Sequence, residues 1–161
     1  MIKSGGTFLY KGYRCVIGAV IPIENSTYIA AASHIFYKAG VGSRVQFEGA
    51  EGIVRKFLDD YDVALIELPS GCKAEITELG SAAVMEDALL VNEYHSIPCR
   101  VIRAGASLLY LLFPCSDMPQ PGDSGSPIVQ KGKVVGLLSS VMLGNCTGTA
   151  VSSDVLLSLS L

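Results

Sequence analysis

No stretch of this 161-residue chain holds a helical period for long. Apolar residues come in short runs, many alternating with polar ones, and the runs are closed by Gly, Pro or Asn. That punctuation excludes a helical bundle and marks an all-β sandwich or barrel. Thr7–Tyr10 and Tyr13–Ile23 read as strands joined at Lys11-Gly12, and Thr27–Ala32 is a small-residue strand running into Ser33-His34. Arg44–Phe47 and Ile53–Leu58 form a pair around Glu48-Gly49, and Val63–Leu68 ends at Pro69. Apolar content falls over 70–82, the expected connection between an N-terminal half (1–69) and a C-terminal half (83–161). The second half repeats the style at Ala88–Val91, Cys99–Arg103, Leu108–Phe113, Ile128–Gln130, Val134–Leu143 and Thr149–Val151. Two sets of about six short strands are what two six-stranded antiparallel barrels require. Ser153 is a helix N-cap candidate, so a short C-terminal helix is expected.

Composition bounds the function. Half the residues are hydrophobic and 17% are charged, enough for a large core and too apolar for disorder. A net charge of −3 without any Lys/Arg cluster gives nucleic acid no electrostatic footprint. No apolar run reaches the length of a membrane span. Met1–Gly6 carries no charged region followed by an apolar stretch, so no export signal is expected. Mean hydropathy of +0.44 leaves room for a covered face, for example in a homodimer. The five cysteines are odd in number, widely spaced and without a CxxC pair. Reduced, mostly buried thiols are therefore expected, with Cys115–Cys146 the best exception. No metal or other cofactor is expected.

The chemistry concentrates at Gly122-Asp123-Ser124-Gly125-Ser126-Pro127. A serine between small residues on a tight turn presents an oxygen nucleophile beside backbone N–H donors. Gly122 has access to dihedrals closed to other residues, and the amides of Gly122 and Ser124 can converge on a developing oxyanion. An α/β-hydrolase elbow would need a strand before the serine and a helix after it, whereas Pro119 and Pro121 precede it and a β-rich run follows. Serine also needs a base, and only His34 and His95 are present. His95 reads as a surface or hydrogen-bonded structural residue in the polar run Asn92–Ser96. Among Asp59, Asp60 and Asp62, the last leads directly into the apolar strand and is the one drawn inside; the other two read as a solvated turn.

His34, Asp62 and Ser124, in that order in an all-β chain, resemble the chymotrypsin-like serine proteases. Gly122–Pro127 matches that family's nucleophile motif, with Ser126 where glycine is commoner. Ala31-Ala32-Ser33-His34 is similar to its histidine motif, with Ser33 where alanine is usual. Asp62-Val63-Ala64-Leu65 is similar to its aspartate motif, and Val135–Ser139 resembles the strand lining the substrate cleft. The resemblance covers about residues 7–152. It implies a site in the cleft between two barrels, with Ser124 as nucleophile, His34 as base and Asp62 orienting the imidazole. The Gly122 and Ser124 amides would form the oxyanion hole. The substrate strand would run along Ser139, and the primary pocket would be formed by Cys115–Pro121 and Ser139-Ser140-Val141, with Met118 near its base and Pro119 in its wall.

No Ile-Val-Gly-Gly-like start is present, so Asp123 needs another partner or stays in solvent. The chain's shortness resembles the compact proteases that RNA viruses cut from their polyproteins. That implies a polypeptide substrate, its own precursor included, and the host cytoplasm if the source is viral. Val141 replaces a wall glycine and narrows the pocket, and Leu137–Leu143 carries no histidine, so a small or apolar residue is expected before the cut. Asp117 makes a basic residue the competitor. The alternative reading is a structural or binding module with a single-use or unused site.

Overall fold

The computed structural model describes residues 1–58 and 60–159, and they form thirteen strands in two halves with one short C-terminal helix. In the first half β1 (Thr7–Tyr10), β2 (Tyr13–Val16), β3 (Ala19–Ile23), β4 (Ser26–Ala31), β5 (Arg44–Phe47), β6 (Ala50–Leu58) and β7 (Val63–Glu67) make a single antiparallel sheet. Its order is β2-β1-β5-β6-β7-β4-β3. In the second half β8 (Glu86–Val91), β9 (Ser96–Ala104), β10 (Leu108–Leu112), β11 (Pro127–Gln130), β12 (Lys133–Met142) and β13 (Thr147–Ser152) close into a six-stranded barrel.

The second barrel is as the sequence leads one to expect, and the first half differs in one respect. Tyr13–Ile23 is not one strand but two, which break at Ile17-Gly18 and end on opposite edges of a curled seven-stranded sheet. The break has a packing cause. A Cβ at Gly18 would lie 2.7 Å from both the Ala30 carbonyl and Leu137, and 2.8 Å from the Gly125 carbonyl. The two halves thus meet at a point where no side chain fits. Ile17 bonds to Gly5 and Gly6 instead of to a sheet neighbour.

Three apolar clusters follow from the alternation. Phe8, Ile17, Ile29, Val45, Val54 and Ile66 fill the curled sheet, and Leu90, Val101, Leu109, Leu111, Ile128 and Leu138 fill the barrel. Between them Ile21, Ala30, Leu65, Val134, Leu137 and Val151 form an inter-half core. The connection runs through this seam as an extra edge: Val20 and Thr77 exchange hydrogen bonds, and Val134 bonds to Glu78 and Gly80. The helix α1 (Ser153–Leu157) seals the same core with Val155 and Leu156. Its N-cap is Ser152 rather than Ser153. Ser152 keeps extended dihedrals and accepts from the Asp154 amide, while Ser153 is fully buried and donates to the Val134 carbonyl. Among the described residues no helix is long and apolar enough to cross a membrane.

Candidate active site

Strand register builds the first part of the site. β4 pairs with β7 so that Ala31 faces Ala64. Two residues past Ala31 therefore lie beside two residues before Ala64, which brings Ser33 and His34 to Asp62. The buried Ala30, Ala31 and Ala32 leave room for this close approach. Asp60 is exposed in the preceding turn, and Asp59 lies outside the described residues.

The His34 ring spans the two halves. Its Nδ1 is 2.6 Å from Asp62 Oδ2 and its Nε2 is 2.9 Å from Ser124 Oγ. A carboxylate only accepts, so the ring proton belongs on Nδ1, and Nε2 is left to accept the Ser124 hydroxyl proton. The Asp62 side chain is 18% exposed and the His34 side chain 48%. Asp62 Oδ1 also accepts from Ser33 Oγ (3.0 Å) and the His34 amide (2.9 Å), and Oδ2 accepts from Ser139 Oγ (2.8 Å). Burial opposes the Asp62 charge. The bonds from the His34 ring, the Ser139 hydroxyl and the His34 amide outweigh it and hold the carboxyl well below the usual carboxylate range. His34 moves the other way: its hydrogen bond to Asp62 raises its pKa above the ordinary 6.5, against the opposing effect of burial.

Ser124 follows a single helical turn, Pro121–Asp123. The conformational freedom of this segment is used at Gly125, with φ +85°, and not at Gly122, whose φ is not positive. A Cβ on Gly125 would also press to 3.1 Å from the Ala32 amide nitrogen, so the Ser124 loop packs directly on the segment between β4 and His34. Gly125 donates to Leu138 and Leu138 donates to Ser126, which fastens the loop to β12. Asp123 does not stay in solvent; it is buried and bound by His95. His95 is thus a hydrogen-bonded residue outside the His34 set.

Beside Ser124 lies a cavity of about 240 Å³, between Pro119–Pro121 on one wall and the run from Leu138 to Val141 with Leu143 on the other. Pro119, Ser139, Ser140 and Val141 are among its lining as expected, while Met118 packs against the barrel core instead. Gln120 and Pro121 belong to the Cys115–Pro121 wall that the resemblance implies, whereas Leu143 arrives through the β12–β13 turn and is the lining residue that sequence reasoning missed. Two larger hollows, of about 380 and 520 Å³, are lined by none of His34, Asp62 and Ser124.

Among the cysteines the one pair named as the exception to reduced thiols is the pair that bridges. Cys115 and Cys146 are bridged, their Cα atoms 5.2 Å apart, where the Phe113 amide just after β10 donates to the Cys146 carbonyl and holds the two loops together. The bridge ties the segment entering the nucleophile turn to the β12–β13 turn. Cys15, Cys72 and Cys99 are free thiols. Burial pushes the Cys15 thiol up to about 11 and Cys99 to about 12, so neither is a nucleophile at neutral pH.

Comparison with known proteins bears on the fold. No family model and no curated protein sequence matches the chain. Among solved structures it is similar to Thermobifida fusca protease A, at TM-score 0.70 and 19% identity over 94% of this chain and 90% of that one. It is similar to Cellulomonas bogoriensis chymotrypsin, at TM-score 0.71 and 18% identity over 97% and 93%. It is also similar to the serine protease of a human pathogenic astrovirus, at TM-score 0.64 and 21% identity over 94% and 91%.

Proposed function

From the chymotrypsin-like fold that the chain adopts, we infer that it is a serine endopeptidase that works through an acyl-enzyme. The observation that carries this reading is the unbroken hydrogen-bonded series from Asp62 through His34 to Ser124, at 2.6 and 2.9 Å, across the seam between the halves. Ser124 Oγ attacks the scissile carbonyl while His34 Nε2 takes its proton. His34 then returns that proton to the leaving amine, and Asp62 holds the ring in the tautomer that allows both steps. The amides of Gly122 and Ser124 are the oxyanion donors. The substrate backbone adds as a strand along Ser139–Val141. Metal and other cofactors have no part in this scheme.

The cavity beside Ser124 takes the side chain that precedes the cut. Pro119, Pro121, Leu138, Val141 and Leu143 make it largely apolar, and no charged side chain lines it. A small or apolar residue is the preferred occupant, and Asp117, which is not in the lining, gives no anchor for a basic one. A peptide library reads this directly; a strong preference for acidic or basic residues at that position would refute it.

The natural substrate we propose is a viral polyprotein containing this chain. Its compactness supports this, as does its similarity along nearly its whole length to the astrovirus serine protease. Labelling with a fluorophosphonate tests the chemistry: wild type should label, whereas Ser124→Ala and His34→Ala should not. Equal labelling of all three ends the triad assignment, and no labelling of any of them leaves a protease-fold binding module. Expression within a longer precursor, with Ser124→Ala as its control, tests self-processing.

A further inference from the structure

Asp123 is the only acidic or basic side chain among the described residues that is buried, at 3% exposure, and it directly precedes Ser124. A buried charge is tolerated only where it is paired and fully hydrogen-bonded. Most of that pairing comes from one short turn, Asn92–His95, between β8 and β9. His95 Nδ1 lies 2.7 Å from each Asp123 carboxylate oxygen, and Asn92 Nδ2 donates to Oδ1 at 2.9 Å. The Gln120 amide donates to Oδ2 at 2.7 Å and completes the set. Asn92 Nδ2 also donates to Ser126 Oγ at 2.9 Å, and Ser126 is fully buried. Asn92 Oδ1 accepts from the amides of Tyr94 and His95, which closes the turn on itself. The same turn reaches the other half, where the Arg14 guanidinium of β2 stacks 3.6 Å from the centre of the Tyr94 ring.

The nucleophile is therefore gripped on both sides. After Ser124, backbone bonds from Gly125 and Leu138 fix the loop to β12. Before Ser124, the hold runs through the Asp123 carboxylate, and so through His95. We propose that His95 is a positioning residue of the nucleophile turn, with Asn92 as its second anchor, and that together they set the Gly122 and Ser124 amides for the oxyanion. This rests on the endopeptidase reading and adds to it residues that touch neither substrate nor reacting atoms. Loss of the grip frees the helical turn Pro121–Asp123 to rotate those amides away. Transition-state binding then falls while the pocket keeps its hold on the ground state.

The test is a kcat-against-KM comparison of wild type, His95→Leu and His95→Asn on a peptide that fills the cavity. His95→Leu should lower kcat about 10²-fold, as for loss of an oxyanion donor, and leave KM within about twofold. His95→Asn puts an N–H near the lost Nδ1 and should recover at least about tenfold of that. A peptide aldehyde, whose adduct carries the oxyanion, should bind His95→Leu more weakly in the same proportion as kcat. A folded His95→Leu with wild-type kcat overturns the proposal, and so does a rise in KM alone. If His95→Leu does not fold, Asn92→Ala is measured instead: a matching loss in kcat supports the grip, and an unchanged kcat overturns it. A wild type that never reacts with fluorophosphonate removes the endopeptidase reading and this inference together, whereas a reactive wild type isolates the role of His95.

Discussion

The molecule carries two histidine–aspartate pairs with nearly the same geometry and different environments. His34 Nδ1 meets Asp62 at 2.6 Å, and His95 Nδ1 meets Asp123 at 2.7 Å. What differs is the other ring nitrogen and the burial of the carboxylate. His34 Nε2 faces a serine hydroxyl across the seam, and Asp62 keeps some exposure. Asp123 is more deeply buried, and its other donors, Asn92 and Gln120, hold the loop beside the serine. A carboxylate that orients an imidazole is thus a general building unit. In the scheme proposed above the unit serves proton transfer at His34, whose far nitrogen meets a serine hydroxyl, and placement at Asp123.

The largest expected effect attacks the first pair. Ser124→Ala or His34→Ala should abolish turnover, on the order of 10⁶-fold in kcat, with the fold retained by circular dichroism. Next, Asp62→Asn should cost on the order of 10⁴-fold in kcat through the wrong tautomer. Comparable activity of this variant and wild type would erase the distinction between the pairs. Thermal melts give the third contrast. His95→Leu leaves the buried Asp123 carboxylate with only its Asn92 and Gln120 donors and should cost about 3 kcal/mol. His34→Ala leaves Asp62 bonded to Ser33, Ser139 and the residue-34 amide, and should cost about 1 kcal/mol or less. Smaller still, Ser139→Ala should lower kcat about tenfold, as one hydrogen bond to a charged group is lost.

The pH dependence sharpens the first pair in particular. His34 must be neutral to act as base, and its pKa is raised, so kcat/KM should climb to its plateau above pH 6.5. Asp62→Asn should bring that limb back down. Stability runs opposite to activity. The raised His34 contributes stability that is complete below its unfolded value of 6.5 and is lost as pH rises through the folded value. The depressed Asp62 contributes above its unfolded value of 3.8, and that contribution is lost as pH falls through the folded value. The pair is therefore most stabilising between about pH 4 and 6.5, on the acid side of its working range.

Local chemistry was legible where neighbours in sequence are neighbours in space. Lys11-Gly12 and Lys131-Gly132 announced hairpins because each turn is closed by its own residues. Asp62 could be chosen over Asp60 because the strand it starts is apolar, and the register that sets it beside His34 follows from β4 and β7 lying adjacent. By contrast, Tyr13–Ile23 is apolar enough to look continuous, and the contact that breaks it involves Leu137, far along the chain. The resemblance implied a place for Met118 near the pocket base, whereas its side chain packs against the barrel core. Ser139 read as backbone support for substrate, and nothing near it in sequence announces that its hydroxyl reaches Asp62.

Residue types and order alone determined the strand-rich class, and with the family resemblance they singled out His34, Asp62 and Ser124 as the proposed set. These depend on alternation, turn residues and the few side chains able to do the chemistry. Tertiary structure alone decided that Cys115 and Cys146 do bridge, that Leu143 joins the cavity wall while Met118 leaves it, and what Asp123 binds. Each of those contacts joins segments well apart in sequence, by 31 residues for the bridge and 28 for Asp123 and His95, and their meeting is dictated by how a curled sheet and a closed barrel pack on a shared core.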